Sequence, residues 1–111
     1  MGFGKWLAKR GALGGMIRVL YKAYMQARRE NPTLTDEEIA PLLIEWRFDT
    51  VSLRKDEKTR YELWMQGDVL PKTLEGICLE IAYIEMESSG VFVQEIIDEE
   101  LARLGYISPD F

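Results

Sequence analysis

Apolar residues recur along this chain at helical spacing, and no clear run shows the alternation of a half-buried strand. Leu13, Met16, Ile17, Leu20 and Tyr24 form one stripe, with Arg18, Lys22 and Arg29 on the opposite side. Ahead of them Phe3, Trp6 and Leu7 recur at i, i+3 and i+4 among Lys5, Lys9 and Arg10. Gly11, Gly14 and Gly15 lie between the two patterns, and each costs a helix about 1 kcal/mol relative to Ala. The spacing therefore predicts a break, a hinge or a close helix approach at these glycines. Residues 1–12 become a detachable amphipathic segment. Asn31-Pro32 ends the longer pattern, because a residue before proline avoids the α region.

A second helix opens at Thr35, which has Glu38 at capping-box spacing and three acids in the first turn. Pro41 removes one backbone bond, so a separate first turn with a restart at Pro41 is expected. Ile39, Leu42, Leu43 and Trp46 form one apolar face; Ile44, Phe48 and Val51 form another. A helix with two apolar faces is central, or carries a partner on one of them. The third helix follows the polar stretch 49–58, with Tyr61, Trp64 and Met65 as its apolar residues and Gly67 as its stop. Pro71-Lys72-Thr73 starts a fourth. Its main face is Leu74, Ile77, Cys78, Ile81 and Ile84, and Leu79, Ala82, Tyr83 and Met86 cover much of the rest, which makes it the best candidate for the most buried helix. The last helix runs from about Val91 to Leu104 with Val93, Ile96, Ile97, Leu101 and Leu104 inward and Gly105 closing it.

These elements predict a single all-α domain over residues 1–111, a compact four- to five-helix bundle or orthogonal helical array. A chain of 111 residues can bury a core without staples. Charge changes the picture at one end. The first 29 residues hold seven Lys and Arg and no acid, whereas the other 82 hold seven basic and nineteen acidic residues. A basic apolar segment fits an anionic membrane surface, an acidic protein or a nucleic acid. The longest uncharged runs are seven residues, far short of the roughly 18 a membrane span needs. Arg18 and Lys22 also interrupt any secretory signal core. A cytoplasmic location is expected.

The chemistry on offer is narrow. There is no His, which removes the common general base and the Ser-His and Cys-His systems. Cys78 is the sole cysteine, so no disulfide framework or thiolate metal site is expected, and no cofactor. Glu85 and Glu100 fall on apolar stripes. They are either a carboxylate pair with catalytic or metal-binding use, or partners of Arg18, Arg47 or Arg103. Leu34-Thr35-Asp36-Glu37-Glu38-Ile39-Ala40, with Thr50-Val51-Ser52, Arg54 and Lys55, resembles part of a helix-turn-helix DNA-binding unit. That resemblance implies that Thr50–Ser52 opens a recognition helix. Ile44-Glu45-Trp46 stands where such units place a glycine turn, and the net charge of −5 opposes phosphate binding.

The function expected from the sequence is a non-enzymatic helical interaction or regulatory module, self-associating as a homodimer or binding a protein partner. The alternative is a peripheral regulator that uses the basic N-terminal segment on a membrane surface or nucleic acid. The expected interaction residues are Phe3, Lys5, Trp6, Leu7, Lys9 and Arg10 at that end, and Ile44 and Phe48 on the second face of the second helix.

Overall fold

A computed structural model describes the backbone of residues 2–67 and 70–107 and the side chains of residues 10–67 and 70–107. The described residues form five helices: α1 (Gly2–Glu30), α2 (Asp36–Thr50), α3 (Lys55–Gln66), α4 (Leu74–Met86) and α5 (Val91–Leu104). Among the described residues there is no strand. The all-α architecture read from the spacing is the one observed.

The core forms where the stripes meet. Leu13, Met16, Ile17, Leu20 and Tyr24 of α1 are buried against Ile39, Ala40, Leu43 and Ile44 of α2 and Ile97 and Leu101 of α5. At the centre is α4, which packs on each of the other four helices. Leu74, Ile77, Cys78, Ile81, Ala82 and Ile84 are all buried, as expected for the most apolar helix. Of the other helices, α3 touches α2 and α4, and α5 touches α1 and α4. From α3, Tyr61 is wholly buried.

Local chemistry sets most boundaries. Thr35 Oγ1 accepts from Glu38 N at 3.2 Å, and Glu38 Oε1 accepts from Thr35 N at 3.1 Å, which completes the capping box expected for α2. Thr73 Oγ1 accepts from Gly76 N at 3.2 Å and starts α4. Gly105 ends α5 in the left-handed region at φ 100°, where a side chain is disfavoured.

Three local expectations differ from the structure. First, α1 runs unbroken through its glycines for 29 residues, about 43 Å at 1.5 Å per residue. The stripe Leu13, Met16, Ile17 and Leu20 is buried across the glycines, so tertiary packing offsets their weak helix propensity. No backbone approaches them. A Cβ at Gly11 would meet nothing within 4 Å, and one at Gly14 would meet the Arg18 guanidinium at 3.3 Å. Second, α2 continues through Pro41 without a restart. Pro41 is exposed near the helix start, where losing one bond to an early carbonyl is cheapest. Third, Thr50 is the last residue of α2 and Ser52 lies between helices, so neither opens a recognition helix.

The faces of α2 are also assigned differently. Ile44, expected to meet a partner, is wholly buried, and Phe48 stacks edge-on against Tyr61 of α3 at 6.0 Å. That face is covered within the chain. Leu42 and Trp46, expected inward beside Ile39 and Leu43, point outward at 48% and 37% exposure.

Two glycines should respond in opposite directions. Gly11→Ala adds helix propensity in open space and should raise unfolding free energy by about 0.5–1 kcal/mol in urea. Gly76→Ala would put a Cβ 2.8 Å from Pro71 Cβ and should lower it by about 1–3 kcal/mol. A loss of stability in Gly11→Ala would contradict this account of α1.

Candidate functional site

Two polar centres join the helices, and only one of them was visible in the spacing of residues. The first lies between α2, α3 and α4. Arg47 donates from Nε to Glu85 Oε2 at 2.9 Å and from Nη2 to Glu85 Oε1 at 2.6 Å. The Tyr61 hydroxyl donates to Glu85 Oε2. Both charged side chains are nearly buried, and the planar guanidinium meets both carboxylate oxygens at once. Burial, then the bond to Glu85, pushes the Tyr61 phenol well above the ordinary tyrosine value, so it stays a donor. Arg60 closes the neighbouring end by donating to Ile84 O at 3.2 Å.

Glu100, the other carboxylate on an apolar stripe, lies 3.3 Å from Arg18 Nη1 and 3.2 Å from Arg103 Nη1. Each of the two acids is therefore engaged by arginines, and by different ones. The structure does not assemble them into a pair. Among the described residues no three His, Cys, Asp or Glu come together in a metal-binding group. Cys78 is buried and its thiol is pushed up to about 12, chiefly by loss of hydration, so it is not a thiolate near neutral pH.

The second centre joins the C-terminal part of α1 to the start of α2. Asp36, the first residue of α2, accepts from the Tyr24 hydroxyl at 2.6 Å and from Arg28 Nη1 at 3.3 Å on one oxygen. Its other oxygen accepts from the Tyr106 hydroxyl at 3.3 Å. Arg28 also donates to Leu34 O at 2.8 Å, and Leu74 N donates to the Tyr106 oxygen at 3.3 Å. The Tyr24 and Tyr106 rings meet edge to face at 5.6 Å. Burial raises both phenols above their ordinary value, and hydrogen bonds to Asp36 for Tyr24 and to Glu75 for Tyr106 add to it. A cleft of about 460 Å³ opens beside this centre, lined by Tyr24, Arg28, Thr35, Asp36, Glu37, Lys72 and Ile107. Sequence reasoning missed it because Asp36 reads as a helix-start acid, and its partners lie 12, 8 and 70 residues away. Chemically the centre is a set of protonated phenols around one carboxylate. It contains hydrogen-bond donors and fixed charge, with no thiol and no activated hydroxyl.

The expected interaction residues are dispersed. Phe3, Lys5, Trp6, Leu7 and Lys9 belong to the first turns of α1, and their side chains lie outside the described residues. Arg10 is part-exposed, with Nη2 3.8 Å from Glu99 Oε2 of α5. Among the described residues, the large apolar ones that do face solvent are Val19 on α1, Leu42 and Trp46 on α2, Leu63 on α3, Tyr83 on α4, Val91 and Phe92 at the start of α5, and Ile107 after it. No helix among the described residues is long and apolar enough to cross a membrane. No family model, curated protein or solved structure matches this chain.

The two centres make separate predictions. Glu85→Ala strands Arg47 and should cost about 3–5 kcal/mol, while the triple replacement Arg47→Met, Glu85→Leu and Tyr61→Phe, which leaves neither the guanidinium nor the hydroxyl without its carboxylate, should recover most of that in urea unfolding. Equal losses for the single and the triple replacement would show that the ion pair is not what the single change breaks. For pH, Cys78, Tyr24, Tyr61 and Tyr106 all hold protons more tightly folded than their ordinary values of 9.0 and 10.0. The unfolded chain therefore releases protons first as pH rises, and stability is full below that range and falls through it and above. The urea midpoint should drop between about pH 8 and about pH 11; a constant midpoint contradicts this burial.

Proposed function

We propose that the chain is a cytoplasmic, non-enzymatic helical interaction module that self-associates through the outward face of α2. The observation that carries this reading is the pair Leu42 and Trp46, one helical turn apart, both exposed on a helix whose other apolar residues are covered. On the neighbouring side of α2, Pro41, Ile44, Glu45, Met65 and Leu70 line a cleft of about 210 Å³. A part-exposed tryptophan beside an apolar recess supplies both halves of a patch that can meet its own copy, as a two-fold interface requires. A buried tryptophan is also the residue type that most often dominates binding energy. The engaged state of both polar centres supports a structural role for them.

Light scattering across a dilution series should give a mass that rises from one chain toward two. Trp46→Glu should leave the circular dichroism melt unchanged and weaken association by about a hundredfold or more. A wild-type mass of one chain at every concentration would remove the self-association reading.

A further inference from the structure

The helices α1 and α2 form an antiparallel pair. The chain reverses over residues 31–35, and Asp36 at the start of α2 meets Tyr24 and Arg28 near the end of α1. Both helices advance about 1.5 Å per residue away from the Tyr24–Asp36 bond. Glu38 is therefore level with Lys22, Leu42 with Val19 and Trp46 with Gly15, to within about one residue. Among the described residues α2 does not touch α5, and α1 does not touch α3. Thus α5 and α2 lie on different flanks of α1, and α1 and α3 lie on different flanks of α2.

Each helix leaves apolar surface open along the seam between them. Arg18 and Tyr21 mark the side of α1 that α5 covers. Val19 lies about 160° around the helix from Tyr21, on the side of α2, and is 46% exposed. Gly15, one turn before it, is part-exposed. On α2, Phe48 marks the side that α3 covers, and Leu42 and Trp46 lie away from it, toward α1. The two helices are also opposite in charge. Residues 13–29 of α1 hold four cations and no acid. On α2, Glu37, Glu38, Glu45 and Asp49 are exposed, and the one cation, Arg47, is bound to Glu85. Among the described residues Lys22 meets no carboxylate, and Glu38, Glu45 and Asp49 meet no cation.

We propose that a second copy of this chain covers the seam, with α2 of each copy lying along α1 of the other. This rests on the self-association through α2 proposed above and names the surface that α2 meets. Setting α2 against α2 would face Glu38, Glu45 and Asp49 with their own copies, whereas α1 offers them cations. A two-fold axis parallel to the helices and centred over the seam makes the α1–α2 contact twice and keeps every residue at its own level. Val19 then meets the partner's Leu42, and Gly15, which has no side chain, gives room to the partner's Trp46. Lys22 meets the partner's Glu38. The four helices make an antiparallel array of the kind that bundles use within one chain.

The test is the dissociation constant of the full chain by sedimentation equilibrium, with a circular dichroism melt of each variant. Val19→Glu should weaken association by about tenfold or more and leave the melt unchanged. Gly15→Gln improves helix propensity, so it should not lower the melt, yet it should weaken association by a similar factor because it fills the seat of Trp46. It is the second variant should Val19→Glu alter the fold. Lys22→Glu alone and Glu38→Lys alone should each associate less tightly than wild type, since each sets like charges together at both contacts. An equimolar mixture of those two proteins restores opposite charges at both contacts and should associate more tightly than either alone. That rescue compares Glu38→Lys with itself, so loss of its cap on α2 does not enter. If wild type associates and Trp46→Glu weakens it while Val19→Glu and Gly15→Gln do not, the contact with α1 is overturned and the reading of α2 stands. A mixture no tighter than either component also overturns the contact. A wild-type mass of one chain at every concentration overturns both.

Discussion

The rest of the structure depends on covering α4. Leu74, Ile77, Cys78, Ile81, Ala82 and Ile84 are buried, and Leu79 and Met86 are partly so. No single neighbour can shield residues spread around so much of a helix. Four helices are needed, and α4 touches all four. Glu85 is the complication, because it places a carboxylate inside that apolar shell. Leaving it bare would cost several kcal/mol, so its environment must supply charge and donors together. Arg47 from α2 and Tyr61 from α3 do so. The result ties α2 and α3 to α4 by direction as well as by contact, because the bidentate pair tolerates little rotation.

The Asp36 centre plays the matching part at the far end of α1. One carboxylate collects Tyr24 and Arg28 from α1 and Tyr106 from beyond α5. The hydroxyl of Tyr106 in turn takes the Leu74 amide, an otherwise open donor at the start of α4. Four elements converge there. The basic charges of α1 are distributed along its length in the same manner. Arg28 meets Asp36, Arg18 meets Glu100 and Arg10 approaches Glu99. Three of the seven cations that look in the sequence like one basic arm thus face carboxylates of the body.

Much of the fold was legible in the sequence because short-range chemistry determined it. Thr35 with Glu38, Thr73 with Gly76 and Gly105 mark helix ends through bonds or backbone angles within a few residues. The stripe of α1 and the apolar excess of α4 announced their burial directly. The pairing of Glu85 and Glu100 with arginines was one of two readings the sequence allowed, and the choice needed distances across 38 and 82 residues. The glycines of α1 and Pro41 of α2 were misleading in the same way. Their local cost is real, but it is small beside the burial of the stripes that pass through them. Of the candidate interaction residues, Ile44 and Phe48 went to the core because α3 folds over that side of α2.

By itself, then, the sequence determined that the chain is helical, where most helices start and stop, which helix is central, and that charge is divided between its ends. Those properties depend on spacing of at most a few residues, where helical geometry leaves little choice. Only the tertiary structure decided which side of α2 faces water, which arginine meets which carboxylate, and that Asp36 gathers two tyrosines. It also decided that α1 and α5 run side by side in the same direction. Each of these turns on how helices are placed around α4, and many placements share the same periodicity. Packing selects among them through the requirement that every buried charge and donor find a partner.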